Sequence, residues 1–203
     1  MRYLADRLPV PKLYCARDFL DAELCRRLVD EIAGGEKYAA TIRDPGSVEV
    51  VYDHIRHADC VAGSSDAQRD VADKLASITA DLSAHLKIDL SAMQKPQFLR
   101  YARGGFFRPH KDRSDHPDRD PDIGLRKVTA VLFLNSHARF PTDGGYCGGD
   151  LRLFQIDDHR DPILRIDGNA GMLIAFDSAV VHEVRPVTWG ARCTVVAWYV
   201  GTR

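Results

Sequence analysis

The sequence predicts a mainly β fold, an antiparallel sandwich or barrel with flanking helices packed against its outside. Helical spacing of apolar residues is confined to the first half of the chain. From residue 97 onward, short β-rich runs alternate with Gly, Pro and Asp. No helical pattern separates these later runs, as it would in a parallel α/β sheet.

The helices are predicted in the N-terminal part. Asp21 is a plausible N-cap for a helix that runs to about Ala33, and the Gly34-Gly35 pair ends it. A strand is predicted at Val48–Tyr52, after a Pro-Gly turn. A second helix is predicted over Asp66–Lys87. Its apolar side would consist of Val71, Leu75, Ile78, Leu82 and Leu86.

The C-terminal half predicts a series of strands. They are Gln97–Ala102, Val128–Leu134, Leu151–Phe154, Ile163–Ile166, Met172–Phe176, Val180–Val184 and Cys193–Val200. The polar stretch Lys111–Arg126 has the composition of a mobile surface loop. We therefore expect a single domain over residues 1–203, in which 1–96 form a helix-rich support and 97–203 the β core.

Composition and charge argue against several classes of protein. Hydrophobic residues make up 45% and charged residues 28%, as in ordinary soluble proteins. The net charge is −1 and the basic residues are dispersed, so no nucleic-acid partner is expected. No apolar run approaches the roughly 18 residues of a membrane span, and the first ten residues do not resemble a signal peptide. The five cysteines are scattered without a CxxC pair, which predicts reduced thiols in a cytoplasmic protein. The oligomeric state is not predicted.

Two potential metal ligands lie two residues apart, His110 and Asp112. In an extended chain, side chains i and i+2 point to the same face, so the imidazole and the carboxylate converge. Two histidines and one carboxylate that leave open positions are typical of non-haem Fe(II) oxygenases. His182, which follows an apolar run, is the best candidate for the third ligand.

Arg192 follows His182 by ten residues, across the Pro186–Gly190 turn. If these residues form a hairpin centred near Val187, the two side chains lie roughly opposite each other and share a face. An arginine at that place supplies a forked, permanently charged donor for a carboxylate. It suits a dicarboxylate that chelates the metal at its other end.

Four ordered motifs lie between residues 97 and 200. They are Tyr101-x-x-Gly-Gly-Phe-Phe-x-x-His110-x-Asp112, Arg126-x-Val-Thr-Ala-Val-Leu-Phe-Leu134-Asn135, Gly148-Gly149-Asp150-Leu151, and Gly171-x-x-x-x-Phe176 leading to His182-Glu-Val-x-Pro-Val-x-x-Gly190-x-Arg192. Together they resemble the Fe(II)/2-oxoglutarate dioxygenases of the prolyl-hydroxylase-like type. The resemblance implies a double-stranded β-helix, or jelly roll. It also implies Fe(II), held in the open end of the jelly roll, with 2-oxoglutarate and O2 as co-substrates.

The same resemblance implies which residues hold the co-substrate. The distal carboxylate of 2-oxoglutarate would meet Arg192, and Tyr101 would lie near the co-substrate. Thr194 falls on the same face as Arg192 and adds a hydroxyl. Phe133 stands where some relatives carry a tyrosine for this carboxylate, and a phenyl ring has no donor. The anchor is therefore expected to rest on Arg192, with Tyr101 or Thr194.

The expected activity is hydroxylation of an unactivated C–H bond in an amino acid, a peptidyl residue or a related small metabolite, with release of succinate and CO2. The resemblance favours hydroxylation over halogenation, because halogenating relatives carry a small residue in place of Asp112. Alternatives are a desaturase, epoxidase or cyclase with the same oxidising chemistry, a non-catalytic jelly-roll binding protein, and a cupin-like zinc or manganese protein.

Four further residues are candidates for substrate contacts. Arg103 and Arg108 flank two phenylalanines near the metal motif and could bind a substrate carboxylate. His137 lies in a polar loop, and Trp189 lies in a turn that could line the mouth of the pocket. Trp198, in an apolar run, is expected in the core.

Overall fold

The computed structural model describes residues 11–44, 48–61, 65–114, 121–155 and 161–201. These residues form seventeen strands and four helices. The strands are β1 (Leu13–Ala16), β2 (Lys37–Ala39), β3 (Ile42–Asp44), β4 (Val48–Val50), β5 (Arg56–His57), β6 (Asp59–Val61), β7 (Ala92–Met93), β8 (Gln97–Tyr101), β9 (Phe106–His110), β10 (Arg126–Phe133), β11 (Tyr146–Gly148), β12 (Leu151–Leu153), β13 (Leu164–Ile166), β14 (Leu173–Asp177), β15 (His182–Val184), β16 (Val187–Gly190) and β17 (Arg192–Val200). The helices are α1 (Ala22–Gly34), α2 (Asp66–Ser77), α3 (Thr79–Leu86) and α4 (Pro121–Gly124).

Two antiparallel sheets form the predicted sandwich. The larger sheet has the order β1-β14-β10-β17-β8-β6-β2, with β7 paired to β17. The smaller sheet has the order β13-β12-β15-β9-β5. The chain passes repeatedly from one sheet to the other, as from β14 to β15 and on to β17. This arrangement is the predicted jelly roll.

The alternation of side chains along the central strands divides the core into two layers. From β10, one set packs with the helices: Val128, Ala130 and Leu132. The other set faces the interior of the sandwich: Thr129, Val131 and Phe133. Strand β17 follows the same alternation, and its inward side chains are the even-numbered ones from Arg192 to Trp198. Because both faces are buried, both strands are almost continuously apolar.

Helix α1 begins and ends close to the predicted residues. The Asp21 carboxylate caps it by accepting a hydrogen bond from the Leu24 amide at 2.8 Å. At the other end, the Gly35 amide donates to the Glu31 carbonyl at 2.8 Å. The apolar side of the helix is buried in the helix-facing layer of the core. Local capping and periodicity were therefore sufficient to predict this element.

The single helix predicted over Asp66–Lys87 is wrong, because the chain breaks at Ile78 into α2 and α3. The Ile78 backbone has φ −91° and ψ 8°, outside the helical range. The buried Tyr199 hydroxyl donates to the Leu75 carbonyl at 2.7 Å and so satisfies an acceptor at the end of α2. That partner is 124 residues away, so local periodicity could not indicate the break.

The predicted strand Val48–Tyr52 is shorter in the structure, because β4 ends at Val50. Residues 52–56 form a turn, hereafter the 52–56 turn. It is closed by hydrogen bonds from the Ile55 and Arg56 amides to the Tyr52 carbonyl at 2.8 and 2.9 Å. The turn leads into β5, which pairs with β9. The N-terminal part of the chain thus supplies strands to both sheets as well as helices.

Part of the predicted polar loop Lys111–Arg126 lies outside the described residues, namely 115–120. Its C-terminal part forms α4, from which Ile123 is buried. Residues 1–10, in which no signal peptide is expected, also lie outside the described residues. Within the described ranges, no helix combines the length and the hydropathy needed to cross a bilayer.

Candidate metal centre

Three potential metal ligands converge at the smaller sheet. His110 ends β9 and His182 begins β15, and these two residues are cross-strand partners. Asp112 follows β9, where its amide donates to the Ser178 carbonyl at 3.0 Å. The Asp112 carboxylate lies 3.6 Å from His110 Nε2 and 3.4 Å from His182 Nε2. One potential ligand atom from each residue lies within 4.8 Å of the other two.

Backbone carbonyls orient both imidazoles. His110 Nδ1 lies 2.8 Å from the Arg108 carbonyl, and His182 Nδ1 lies 3.0 Å from the Val180 carbonyl. Because a carbonyl can only accept, each Nδ1 carries the proton and each Nε2 offers its lone pair to the centre. Phe107 also stacks on the His110 ring, with centroids 3.5 Å apart.

Thr129 positions the Asp112 carboxylate. The Thr129 hydroxyl donates to Asp112 Oδ2 at 2.8 Å and lies 2.9 Å from the Ser178 hydroxyl. Asp112, Thr129 and Ser178 are all buried. Sequence reasoning missed Thr129, because only the approach of β10 to the chain after β9 reveals the contact.

Burial and mutual charge set the protonation of the triad. Burial and the neighbouring His182 lower the pKa of His110 to about 4. Burial raises the pKa of Asp112, but the two imidazoles outweigh it and hold that pKa well below its usual value. Burial lowers the pKa of His182, but the Asp112 carboxylate outweighs it and raises that pKa. At neutral pH the cluster thus offers an ionised carboxylate and at least one neutral imidazole, as metal binding requires.

The triad opens into a cavity of about 450 Å³ between the two sheets, and Arg192 lines the same cavity. The predicted hairpin between His182 and Arg192 is wrong, because β15 belongs to the smaller sheet and β17 to the larger. Between them, β16 pairs with β11 instead. Pro186 has no amide to continue a ladder, and Gly190 has φ +71°, so the chain leaves one sheet and enters the other. The two side chains therefore line one cavity from different sheets.

Arg192 is a buried cation with unused donors. Its side chain is 1% exposed. Nη1 donates to the Thr194 hydroxyl at 3.3 Å, whereas Nε and Nη2 have no partner among the described residues. The rings of Tyr101 and Phe133 lie 5.2 and 5.0 Å from its Cζ and hold the guanidinium by cation–π contact. A buried charge without an opposite charge is costly, so this arrangement fits an anionic ligand.

Tyr146 is a second candidate that sequence reasoning missed. Its buried hydroxyl forms no hydrogen bond of good geometry with the described residues, although Arg192 and the Gly168 backbone lie close to it. Burial raises the pKa of Tyr146, and the nearby Arg192 guanidinium opposes that rise. A Cβ on Gly149 would lie 3.2 Å from Arg192 Cδ and 3.3 Å from Tyr146 Cε2, so the two side chains converge where this glycine leaves room. The missing hydroxyl at Phe133 is the one sequence signal that could have prompted a search for Tyr146.

The four predicted substrate-contact residues do not line the cavity. Arg103 and Arg108 are exposed, and Arg108 Nε donates to the His54 carbonyl at 2.6 Å. His137 packs edge-on to the ring of Tyr146. Trp189 was expected in a turn at the mouth of the pocket. In the structure it lies on β16 and is not part of the cavity lining.

Trp198 is buried, as the sequence predicted, and its side chain also lines the cavity. The Arg126 guanidinium stacks on its indole at 3.7 Å, and Gln97 lines the same region. The sequence did not show that Trp198 faces the cavity, because β17 is buried on both faces. In such a strand the apolar pattern does not show which side chains face a cavity.

Comparison with known proteins identifies a family and several relatives. The model of the 2OG-Fe(II) oxygenase superfamily matches residues 96–200. A PKHD-type hydroxylase of Nitrobacter winogradskyi is 30% identical over 107 residues, or 51% of this chain and 42% of that protein. Another, from Phenylobacterium zucineum, is 36% identical over 104 residues, or 51% of this chain and 41% of that protein. The chain thus spans less than half the length of the curated relatives that it matches.

Solved structures are similar over nearly the whole chain. A Pseudomonas putida prolyl-4-hydroxylase has a TM-score of 0.69 and 25% identity, covering 96% of this chain and 95% of that one. A Trichoplax adhaerens prolyl hydroxylase, in complex with a peptide of the hypoxia inducible factor, has a TM-score of 0.73 and 19% identity, covering 94% and 84%. At that identity the second similarity shows the fold alone.

Proposed function

Because the chain belongs to the 2OG-Fe(II) oxygenase superfamily, which uses Fe(II), 2-oxoglutarate and O2, we propose that it hydroxylates an unactivated C–H bond. The proposed substrate is an amino acid, a peptidyl residue or a related small metabolite, and the co-products are succinate and CO2. One observation carries the proposal. The cluster of His110, Asp112 and His182 shares a cavity with the buried Arg192.

The cluster fits Fe(II) by the chemistry of its donors. Two imidazoles and one carboxylate that leave open positions are the ligand set typical of non-haem Fe(II) oxygenases. We assign His110, Asp112 and His182 as the ligands. Thr129 and the two backbone carbonyls would hold them in place. Bound Fe(II) supplies the redox chemistry that couples 2-oxoglutarate and O2 to substrate oxidation.

The unused donors of Arg192 fit the distal carboxylate of 2-oxoglutarate. The carboxylate would accept from Nε and Nη2, which have no partner among the described residues. Thr194 holds Nη1, while the rings of Tyr101 and Phe133 restrict the guanidinium plane. The Tyr146 hydroxyl would add a further donor from β11. A bound dicarboxylate would thereby neutralise a cation that the fold leaves buried.

Apolar side chains form much of the remaining wall of the cavity. They include Leu99, Val131, Leu151, Val184 and Val196. Such a wall excludes water and lowers the local dielectric, which strengthens the contact between a carboxylate and Arg192. It would also protect reactive species from solvent.

We also propose that residues 1–203 act as one domain, since strands from both halves of the chain share both sheets. A cytoplasmic location is supported by the five cysteines, none of which is disulfide-bonded. We propose no nucleic-acid or membrane partner, because the basic residues are dispersed.

The proposal is tested by assaying the purified protein with Fe(II), ascorbate and carboxyl-labelled 2-oxoglutarate. We expect release of labelled CO2 and succinate, stimulated by a substrate that gains one oxygen atom. Asp112→Ala should abolish both metal binding and release, whereas Asp70→Ala, on the exposed face of α2, should change neither. Wild-type turnover by Asp112→Ala would reject the assigned ligands. A product that has lost hydrogen without gaining oxygen would indicate a desaturase or cyclase.

A further inference from the structure

The cavity contains a second buried arginine that the proposed chemistry does not use. We propose that Arg56 binds a carboxylate of the substrate, so that the substrate is a free carboxylic acid of about amino-acid size. This inference rests on the proposed function, because Arg192 must already be occupied by 2-oxoglutarate. It narrows the substrate class, since it excludes the interior residues of peptides.

Arg56 is a buried cation of the smaller sheet. Its side chain is 7% exposed, and it lines the cavity. Nη1 donates to the Thr41 carbonyl at 3.0 Å, while Nε has no hydrogen-bond partner in the described part of the chain. No described carboxylate forms an ion pair with it. Because buried cations are normally paired, a cavity-lining arginine without a described carboxylate partner indicates an anion that enters from the cavity.

Arg56 and Arg192 form separate sites in the cavity. Arg56 belongs to the smaller sheet and contacts Thr41 and Phe107. Arg192 belongs to the larger sheet, and its contacts described above include neither of these residues. One molecule of 2-oxoglutarate has a single distal carboxylate, which Arg192 accounts for. A second buried guanidinium without a described carboxylate partner therefore indicates a second anion.

Phe107 connects the Arg56 site with the metal ligands. Its ring lies 4.8 Å from Arg56 Cζ and stacks on His110 with centroids 3.5 Å apart. A carboxylate held by Arg56 would therefore lie about one aromatic ring away from the triad. This spacing suits a substrate whose reacting carbon is only a few bonds from its carboxylate.

The 52–56 turn holds Arg56 in place before any ligand binds. Arg56 is the cross-strand partner of Phe107 in the β5–β9 ladder. Arg108 clamps the turn from the same ladder. Its amide donates to the Ile55 carbonyl at 2.9 Å and its Nε to the His54 carbonyl at 2.6 Å. A donor fixed in this way loses little freedom on binding, which favours affinity.

The charge and size of the cavity agree with a small anion. Its described lining includes the cations Arg56, Lys111, Arg113, Arg126 and Arg192. The single carboxylate in the same lining is that of Asp112, which is assigned to the metal. A concave site lined by one sign of charge concentrates ligands of the opposite sign. The volume of about 450 Å³ must also hold 2-oxoglutarate, which limits the size of the substrate.

The test is a calorimetric titration of the protein saturated with 2-oxoglutarate and Zn(II), a metal that does not change oxidation state. The probes are the common amino acids, each paired with its carboxamide, together with inorganic phosphate and a capped tripeptide. We expect at least one free acid to bind about ten- to a hundredfold more tightly than its carboxamide. Arg56→Met should abolish this preference. Arg27→Met, which removes an exposed arginine of α1 outside the cavity, should retain it.

Arg56→Lys is the second variant, in case Arg56→Met does not fold as judged by circular dichroism. Lysine keeps the positive charge but lacks the planar guanidinium that binds a carboxylate with two donors. We therefore expect a reduced preference for the free acid. The inference is overturned if no free acid binds more tightly than its carboxamide. It is also overturned if either Arg56 variant keeps the full preference for the free acid. A third contrary result would be that phosphate or the tripeptide binds more tightly than every free acid. If the wild-type protein neither binds nor consumes 2-oxoglutarate, the proposed function itself is wrong. That result is distinct from a protein that binds 2-oxoglutarate but shows no preference for a free acid.

Discussion

Replacing Arg192 by methionine should remove the binding site for the co-substrate while leaving the metal site intact. The guanidinium is 1% exposed and two of its nitrogens have no partner among the described residues, so a bound carboxylate would form a desolvated charge pair. Truncating one partner of such a pair costs about 2–5 kcal/mol. At roughly 1.4 kcal/mol for each tenfold change, the KM for 2-oxoglutarate should rise about 30- to 4000-fold.

Two measurements check this expectation. The first is the KM for 2-oxoglutarate, from release of labelled CO2. The second is thermal unfolding, since a ligand at a hundred times its Kd stabilises the folded state by about 2.7 kcal/mol. This stabilisation should be present in the wild-type protein and absent from Arg192→Met. Without ligand, the variant should be at least as stable as the wild type, because an uncompensated buried charge has been removed.

Two further variants calibrate the result. Arg100→Met removes an arginine from the adjacent strand β8 that does not line the cavity and pairs with Asp59 at 3.5 Å. It should leave the KM for 2-oxoglutarate unchanged. Tyr146→Phe removes a neutral donor worth about 0.5–1.5 kcal/mol, so the KM should rise about two- to twelvefold. If Arg192→Met behaves like Arg100→Met, Arg192 does not anchor the co-substrate and the reasoning is refuted.

Three further predictions concern the surroundings of the site. Gly149→Ala and Gly144→Ala both place a side chain at positive φ, so each should lower the free energy of unfolding by about 1–2 kcal/mol in urea titrations. Only Gly149→Ala crowds Arg192, so only this variant should raise the KM for 2-oxoglutarate. In the metal-free protein, the unfolded chain takes up a proton on His110 near pH 6.5, whereas the folded chain resists it down to about pH 4. The free energy of unfolding should therefore fall as the pH drops through that window, and a slope that is no shallower in His110→Gln would contradict this assignment. Burial raises the pKa of Cys193 to about 11, so native protein treated with iodoacetamide at mildly alkaline pH should be labelled at the exposed Cys15 and not at Cys193, as mass spectrometry would show.

The local geometry of the chain explains which parts of the site were predictable. His110 and Asp112 are two residues apart, and the extended conformation alone brings them to one face. His182 and Arg192 were predicted to share a face, and both line one cavity. The hairpin from which that prediction was made is wrong. Ten residues of sequence separation can be spanned by a hairpin or by a crossing between sheets, and the spacing does not distinguish the two.

Contacts between distant strands explain what was missed. Thr129 and Arg56 line the cavity, and Tyr146 lies beside Arg192. Each of the three belongs to a strand whose neighbour in the sheet is not adjacent in sequence. None of them carries a spacing signal, because a hydroxyl or a guanidinium on a strand is common at the surface of proteins. Conversely, Arg103 and Arg108 lie close to the metal motif in sequence but are exposed and do not line the cavity.

The amino-acid sequence by itself determined helix α1 and the alternation of side chains in the long strands β10 and β17, because capping and side-chain periodicity act within a few residues. It also determined the pair of metal ligands on β9 and, through its ordered motifs, the family. Only the tertiary structure decided which sheet each strand joins, and therefore which side chains meet across the cavity. The physical reason is that period-two alternation specifies a face of a strand but not the strand or sheet that this face will oppose.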